Sequence, residues 1–240
     1  MKLIAIRTLV TLAAVGLAAA APISVDPPDA ELNNATGLIE TVDAAWSGTN
    51  FNVRFTEVTV DGVLTSSFYL TSNAAHDVDP RIACATSGEL AVVWWRDLAT
   101  DAVIYRKRSS PSGVWSMERS LGSSTESSSH PRVIYAGNKA WVAYQIQKSG
   151  SRTVGAQVIE DDSEPTRSII ASTSYAGDLD IQISYESGHL WITWIDGPSR
   201  VGYSEHNSTT LLWGAAAVES FAPDSIAAAR ARIRSRILGL

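Results

Sequence analysis

Pro80-Arg81-Ile82-Ala83-Cys84-Ala85-Thr86-Ser87-Gly88-Glu89-Leu90-Ala91-Val92-Val93-Trp94 reads as a β-hairpin. A short strand leads into a turn at Ser87-Gly88, and a second strand rich in β-branched and aromatic residues follows. Successive side chains alternate across a strand. Leu90, Val92 and Trp94 therefore point one way, and Ala91, Val93 and Trp95 the other. Both faces are apolar, so this strand belongs to a sheet covered on both sides.

The same pattern returns twice. It runs from Pro131-Arg132-Val133 through Gly137-Asn138 to Ala140-Trp141-Val142-Ala143-Tyr144. It runs again from Asp180-Ile181-Gln182-Ile183 through Ser187-Gly188 to Leu190-Trp191-Ile192-Thr193-Trp194. Trp94, Tyr144 and Trp194 are each fifty residues apart, and a fixed period of that size marks a repeat architecture. A third strand follows each hairpin, at Val103-Ile104-Tyr105, Val154-Gly155-Ala156 and Val201-Gly202-Tyr203. A fourth is expected near 114–121, 166–172 and 211–218. Val53 and Phe55 stand fifty residues before Val103 and Tyr105, and Trp46 stands forty-eight before Trp94. Residues 38–70 thus read as a divergent first unit, as terminal repeats commonly are.

The expected fold is all-β: a propeller-like array of about four four-stranded antiparallel blades over 37–222, with a short C-terminal α-helix over 223–240. Asp224 is placed to cap that helix and Gly239 to stop it. Ile226, Ile233, Ile237 and Leu240 share one face, and Arg230, Arg232, Arg234 and Arg236 make the rest basic. Such a helix docks on the sheets, or binds a membrane surface or a partner.

A net charge of −6 and a pI near 5.2 argue against a nucleic-acid partner. The single cysteine, Cys84, excludes an internal disulfide and a cysteine-rich metal site, and is expected to be a small buried strand residue. Lys2 and Arg7, the apolar run from Thr8 to Ala20, and Ala18-Ala19-Ala20 read as a signal peptide over 1–20, with a linker over 21–36. The expected location is secreted or periplasmic, with no transmembrane segment. No phosphate-binding loop, dinucleotide fingerprint, nucleophile elbow or zinc-protease motif occurs, so no cofactor is expected.

The blade-leading segment His130-Pro131-Arg132-Val133, the Gly turns followed by Trp-ending strands, and Ser109-Ser110-Pro111-Ser112-Gly113-Val114-Trp115 carry a family resemblance. Over 38–218 the chain resembles the sialidase-like, or Asp-box, β-propeller superfamily. Pro111 stands where the Asp-box has its aspartate, and one residue is missing before Trp115. The resemblance implies a structural turn, with Trp115 and Trp213 packing into their blades. For a retaining sialidase it implies three arginines on a ligand carboxylate, a tyrosine nucleophile with a glutamate partner, and an aspartate acid. Arg81 and Arg132 occupy matching positions, but the third unit offers Ile181 there. Tyr105 and Tyr203 match each other as third-strand residues, which points to packing.

The loops leading into the blades collect the candidate ligand-binding residues: His76, Asp79 and Arg81; His130 and Arg132; Asp178 and Asp180. In a propeller such loops converge around the axis and suit a polar or anionic ligand, a glycan among them. Turn chemistry alone also accounts for these residue types. Asp77-Val78-Asp79, Asp178-Leu179-Asp180 and the acidic run Glu160, Asp161, Asp162 and Glu164 lack the spacing of a calcium loop, so no metal site is expected. No catalytic residue is assigned. The leading expectation is a secreted, non-enzymatic module recognising a glycan or an extracellular protein. A degenerate or minimal glycoside hydrolase of the same fold is the alternative. An assembly protein that self-associates through its repeats and helix is the third.

Overall fold

The computed structural model describes residues 28–122, 124–148, 151–159, 167–221 and 226–240. These residues form four antiparallel sheets, each a consecutive run of chain. The first blade holds β1 (Asp29–Asn33), β2 (Leu38–Trp46), β3 (Phe51–Thr59) and β4 (Leu64–Tyr69), so it takes in a strand ahead of residue 37. The second holds β5 (His76–Cys84), β6 (Leu90–Asp97), β7 (Ala102–Arg108) and β8 (Arg119–Leu121). The third holds β9 (Ser127–Ala136), β10 (Lys139–Lys148), β11 (Ser151–Ile159) and β12 (Arg167–Thr173). The fourth holds β13 (Gln182–Glu186), β14 (His189–Gly197) and β15 (Arg200–Asn207). Its outer strand is broken into β16 (Leu212–Trp213) and β17 (Ala217–Ser220), both paired with β15.

The blades stack in chain order through alternating apolar faces. Val42, Val53 and Phe55 meet Leu90, Val92, Trp94 and Ile104 in the first seam. Ala91, Val93, Val103 and Tyr105 meet Ala140, Val142 and Tyr144 in the second. Ala143, Val154 and Ala156 meet Leu190, Ile192 and Trp194 in the third. Each period-marking aromatic therefore faces the preceding blade, fully buried. Burying one such side chain stabilises the fold by roughly 1.5–3 kcal/mol. The third strand makes room for two of them: Tyr144 lies opposite Gly155 and Trp194 opposite Gly202. A Cβ on Gly202 would fall 2.1 Å from the Trp194 ring.

The register corrects one sequence reading. Val53 pairs with Ala44 as Val103 pairs with Trp95, so the residue matching Trp94 is Asp43 and not Trp46. Asp43 is buried and paired with Arg54 across the strands. The first blade thus carries an ion pair where the others carry a large aromatic ring.

A second ion cluster locks the first seam. Arg108 is buried, pairs with Glu40 and Glu57, and lies over the Phe55 and Trp115 rings at 5.2 and 5.5 Å. Trp115 thus packs inward, as the degenerate box implies, and Gly113 N closes that turn on Ser110 O at 2.9 Å.

Helix α1 (Ile226–Leu238) packs on β14 and β15. Ile226, Ala229, Ile233 and Ile237 cover Val201, Tyr203 and Phe221 on the face of the fourth blade turned away from the third. Leu240, expected on the apolar face, is exposed. Asp224 and the acidic run at 160–164 lie outside the described residues, as do residues 1–20. Among the described residues no helix is long and apolar enough to cross a membrane.

Candidate functional site

Three inner strands break their register at one repeat position. In the second blade Val78 pairs with Trp95 and Arg81 with Val93, leaving Asp79-Pro80 as a bulge. In the third, Ser129 pairs with Gln145 and Arg132 with Ala143, leaving His130-Pro131. In the fourth, Ile195 N reaches Leu179 O and Gln182 pairs with Thr193, leaving Asp180-Ile181. Asp79, His130 and Asp180 all take positive φ, at 49°, 52° and 37°. A left-handed backbone at a non-glycine residue costs about 1–3 kcal/mol, and bulges and strain of this kind concentrate at functional sites. The bulge turns one titratable side chain per blade out of the ladder. It also shows that Gln182, rather than Ile181, is the counterpart of Arg81 and Arg132.

Each bulge is held by a guanidinium. Arg81 donates to Pro80 O at 3.1 Å and pairs with the Asp79 carboxylate. Arg132 donates to Pro131 O at 2.7 Å and reaches across the seam to Asp79 Oδ2 at 3.2 Å. In the fourth blade the donor arrives from α1: Arg230 binds Asp180 O and, at 2.8 Å, Asp180 Oδ2. An arginine holds the strand end in each of the three blades, Arg81 and Arg132 meeting at Asp79, but all are tied to the protein's own carbonyls and carboxylates. Burial pushes the Asp79 carboxyl above the usual carboxylate range, against the pull of Arg81 and Arg132.

The remaining expected residues do not all join this cluster. His130 joins the Asp79 group: its Nδ1 lies 3.0 Å from Ser129 Oγ and its ring lies 5.3 Å from Trp95. Asp178 is a turn residue, its Oδ1 accepting from Asp180 N at 3.0 Å. His76 sits at the start of β5, against Trp46 and Phe51 of the first blade. Asp77 is fully buried with both oxygens bound by Arg96 at 2.7 and 3.0 Å, a structural pair. Two contributors went unread in the sequence. Arg230 comes from the helix; the only signal was the run of alternate arginines. Asp29 of the first blade accepts from Ile82 N at 2.9 Å, beside Arg81.

No protein-family model and no curated protein sequence matches this chain. Solved structures do. An exo-β-1,3-galactanase from Phanerochaete chrysosporium aligns at TM-score 0.54 and 11% identity, over 81% of this chain and 50% of that one. A Trypanosoma rangeli sialidase aligns at TM-score 0.55 and 13% identity, over 79% and 37%. An endo-arabinase from Bacteroides thetaiotaomicron aligns at TM-score 0.53 and 13% identity, over 84% of each. The fold is that of the β-propeller glycoside hydrolases. This chain spans about half or less of the galactanase and the sialidase. These neighbours correct the expectation of a non-enzymatic recognition module: the solved propellers it resembles in shape include a galactanase, a sialidase and an arabinase.

Proposed function

We propose that the chain is a glycoside hydrolase of the sialidase-like propeller fold, working at the bulged ends of its inner strands. The observation carrying this reading is Asp79: a carboxyl turned out of the ladder, half-buried, and pushed above the usual carboxylate range by burial. A general acid that protonates a glycosidic leaving oxygen needs a carboxyl pKa raised from its ordinary value, and burial moves Asp79 in that direction. Hydrolysis takes a second carboxylate. Asp180 stands at the equivalent bulge two blades on, oriented by Arg230. Arg81 and Arg132 are already engaged by Asp79 and by the Pro80 and Pro131 carbonyls, so a sugar carboxylate would have to displace those contacts. The reading therefore favours a neutral glycan over a sialoside. Action outside the cytoplasm, in the secreted or periplasmic space, goes with a polymeric glycan substrate.

The test is release of reducing ends from arabinan, β-1,3-galactan and a panel of chromogenic glycosides, with a sialoside as the carboxylated comparison. Asp79→Asn and Asp180→Asn are each expected to lower the rate by roughly a hundredfold or more, with unchanged circular dichroism. Folded wild-type protein that releases nothing from the panel, or an Asp79→Asn variant at full rate, would sink the proposal.

A further inference from the structure

Trp46 ends β2 and leaves 38% of its surface exposed. Its indole meets the Phe51 ring edge-on at 5.2 Å and lies nearly parallel to the His76 imidazole at 6.4 Å, with an interplanar angle of 20°. Phe51 and His76 are themselves 5.8 Å apart. These three rings stand outside the apolar seam between the first two blades, which is built from Val42, Val53, Phe55, Leu70, Trp94 and their neighbours. The seam is complete without them, so core packing does not explain the patch.

The patch is also fixed in place. Phe51 N donates to His76 Nδ1 at 3.2 Å, and Tyr69 Oη donates to Trp46 O at 3.3 Å. Asn50 Nδ2 ties the approach to His76 by donating to Asn73 O at 2.7 Å and Ala75 O at 2.8 Å. With Nδ1 of His76 accepting, the neutral imidazole carries its proton on Nε2, a donor free of that bond. His76 lies three residues ahead of Asp79 on the same strand, about 10 Å along it at the rise of an extended chain.

We propose that Trp46, Phe51 and His76 form a glycan subsite beside Asp79, taking one neutral glycosyl unit of an oligosaccharide. The apolar face of the sugar ring stacks on the indole, and the histidine donates to a ring hydroxyl. Rigid amphipathic rings with one placed donor suit a ligand that is apolar on its faces and polar at its edge. The ligand class rests on the hydrolase reading above; the surface itself does not.

The experiment is affinity electrophoresis through gels containing arabinan or β-1,3-galactan, alongside tryptophan fluorescence titration with neutral oligosaccharides. Wild type, Trp46→Ala, Trp46→Phe, His76→Ala and, as an aromatic of similar exposure elsewhere, Tyr185→Ala are compared. Trp46→Ala is expected to weaken binding about threefold to tenfold, Trp46→Phe to restore part of it, and Tyr185→Ala to bind as wild type. Thermal midpoints confirm that each variant folds. Glycan binding lost with Trp46→Ala, in a protein that hydrolyses nothing, would support the subsite and remove the hydrolase reading. Hydrolysis with binding untouched by Trp46→Ala would do the reverse. Wild type that binds no glycan in the panel, or that is held through Trp46 only by an apolar peptide resin, overturns the subsite.

Discussion

Arg132 of the third blade places its Nη1 3.2 Å from Asp79 Oδ2 of the second, so the candidate acid is held by a charge from its neighbour. The same arginine holds the Pro131 carbonyl of its own bulge. One guanidinium therefore couples the geometry of one blade to the protonation of another.

Removing Arg132 takes away a positive charge from Asp79. The carboxyl is expected to rise further, because an opposite charge within a few ångströms favours ionisation. In Arg132→Ala the Asp79 titration, followed by carboxyl NMR, moves to higher pH, and any pH–rate limb set by this acid moves with it. A titration that stays in place or falls would contradict the coupling.

Burial raises the carboxyls of both Asp79 and Glu40. A raised folded pKa means that the native state binds more protons than the unfolded chain. The stabilising contribution is full below the unfolded carboxylate pKa and is lost as pH rises through the folded pKa. Urea unfolding across mildly acidic to neutral pH should show Glu40→Gln gaining on wild type as pH rises. A constant difference would place no shifted proton on Glu40.

Arg108 is clamped between Phe55 and Trp115 and balances Glu40 and Glu57. Arg108→Met keeps the stem but strands two carboxylates in the seam, at a cost of about 3 kcal/mol. Adding Glu40→Gln and Glu57→Gln to the same protein should recover most of that loss. Denaturant midpoints of the single and triple variants decide it.

Gly202 is the floor on which Trp194 lies. Gly202→Ala forces the ring or the strand to move and is expected to cost about 3 kcal/mol, with a shift in tryptophan emission. The corresponding change at Gly137, where an added Cβ meets nothing within 4 Å but φ is 61°, should cost about 1 kcal/mol. Equal losses at the two sites would mean that the ring shifts aside at little cost and does not set the requirement at Gly202.

Much of the fold was legible because three hairpins bury both faces of their second strand. That doubly apolar run repeats wherever a blade lies between two others. The first blade departs from the pattern because Asp43 replaces its central aromatic, while the nearest tryptophan, Trp46, lies three residues further along the strand. The candidate site was legible as a set of residue types, and Arg81 and Arg132 do converge with Asp79. Their role was not legible. Proline marks two bulges, at Asp79-Pro80 and His130-Pro131, but Asp180-Ile181 carries no such mark. Nor does local sequence reveal that Arg230, fifty residues away, returns to hold Asp180. Contacts closed by a docked helix depend on tertiary geometry rather than on period.

Asp43 and helix α1 occupy corresponding places at opposite ends of the stack. An ion pair stands where a further blade would look for an aromatic ring, and a helix covers the sheet on which a further blade would settle. Tandem duplication can lengthen a repeat gene easily, yet a fifth unit added after the fourth would have to evict α1 and, with it, Arg230 from Asp180. A sheet seated on that face would therefore cost the fourth blade both its apolar cover and the guanidinium that holds its bulge.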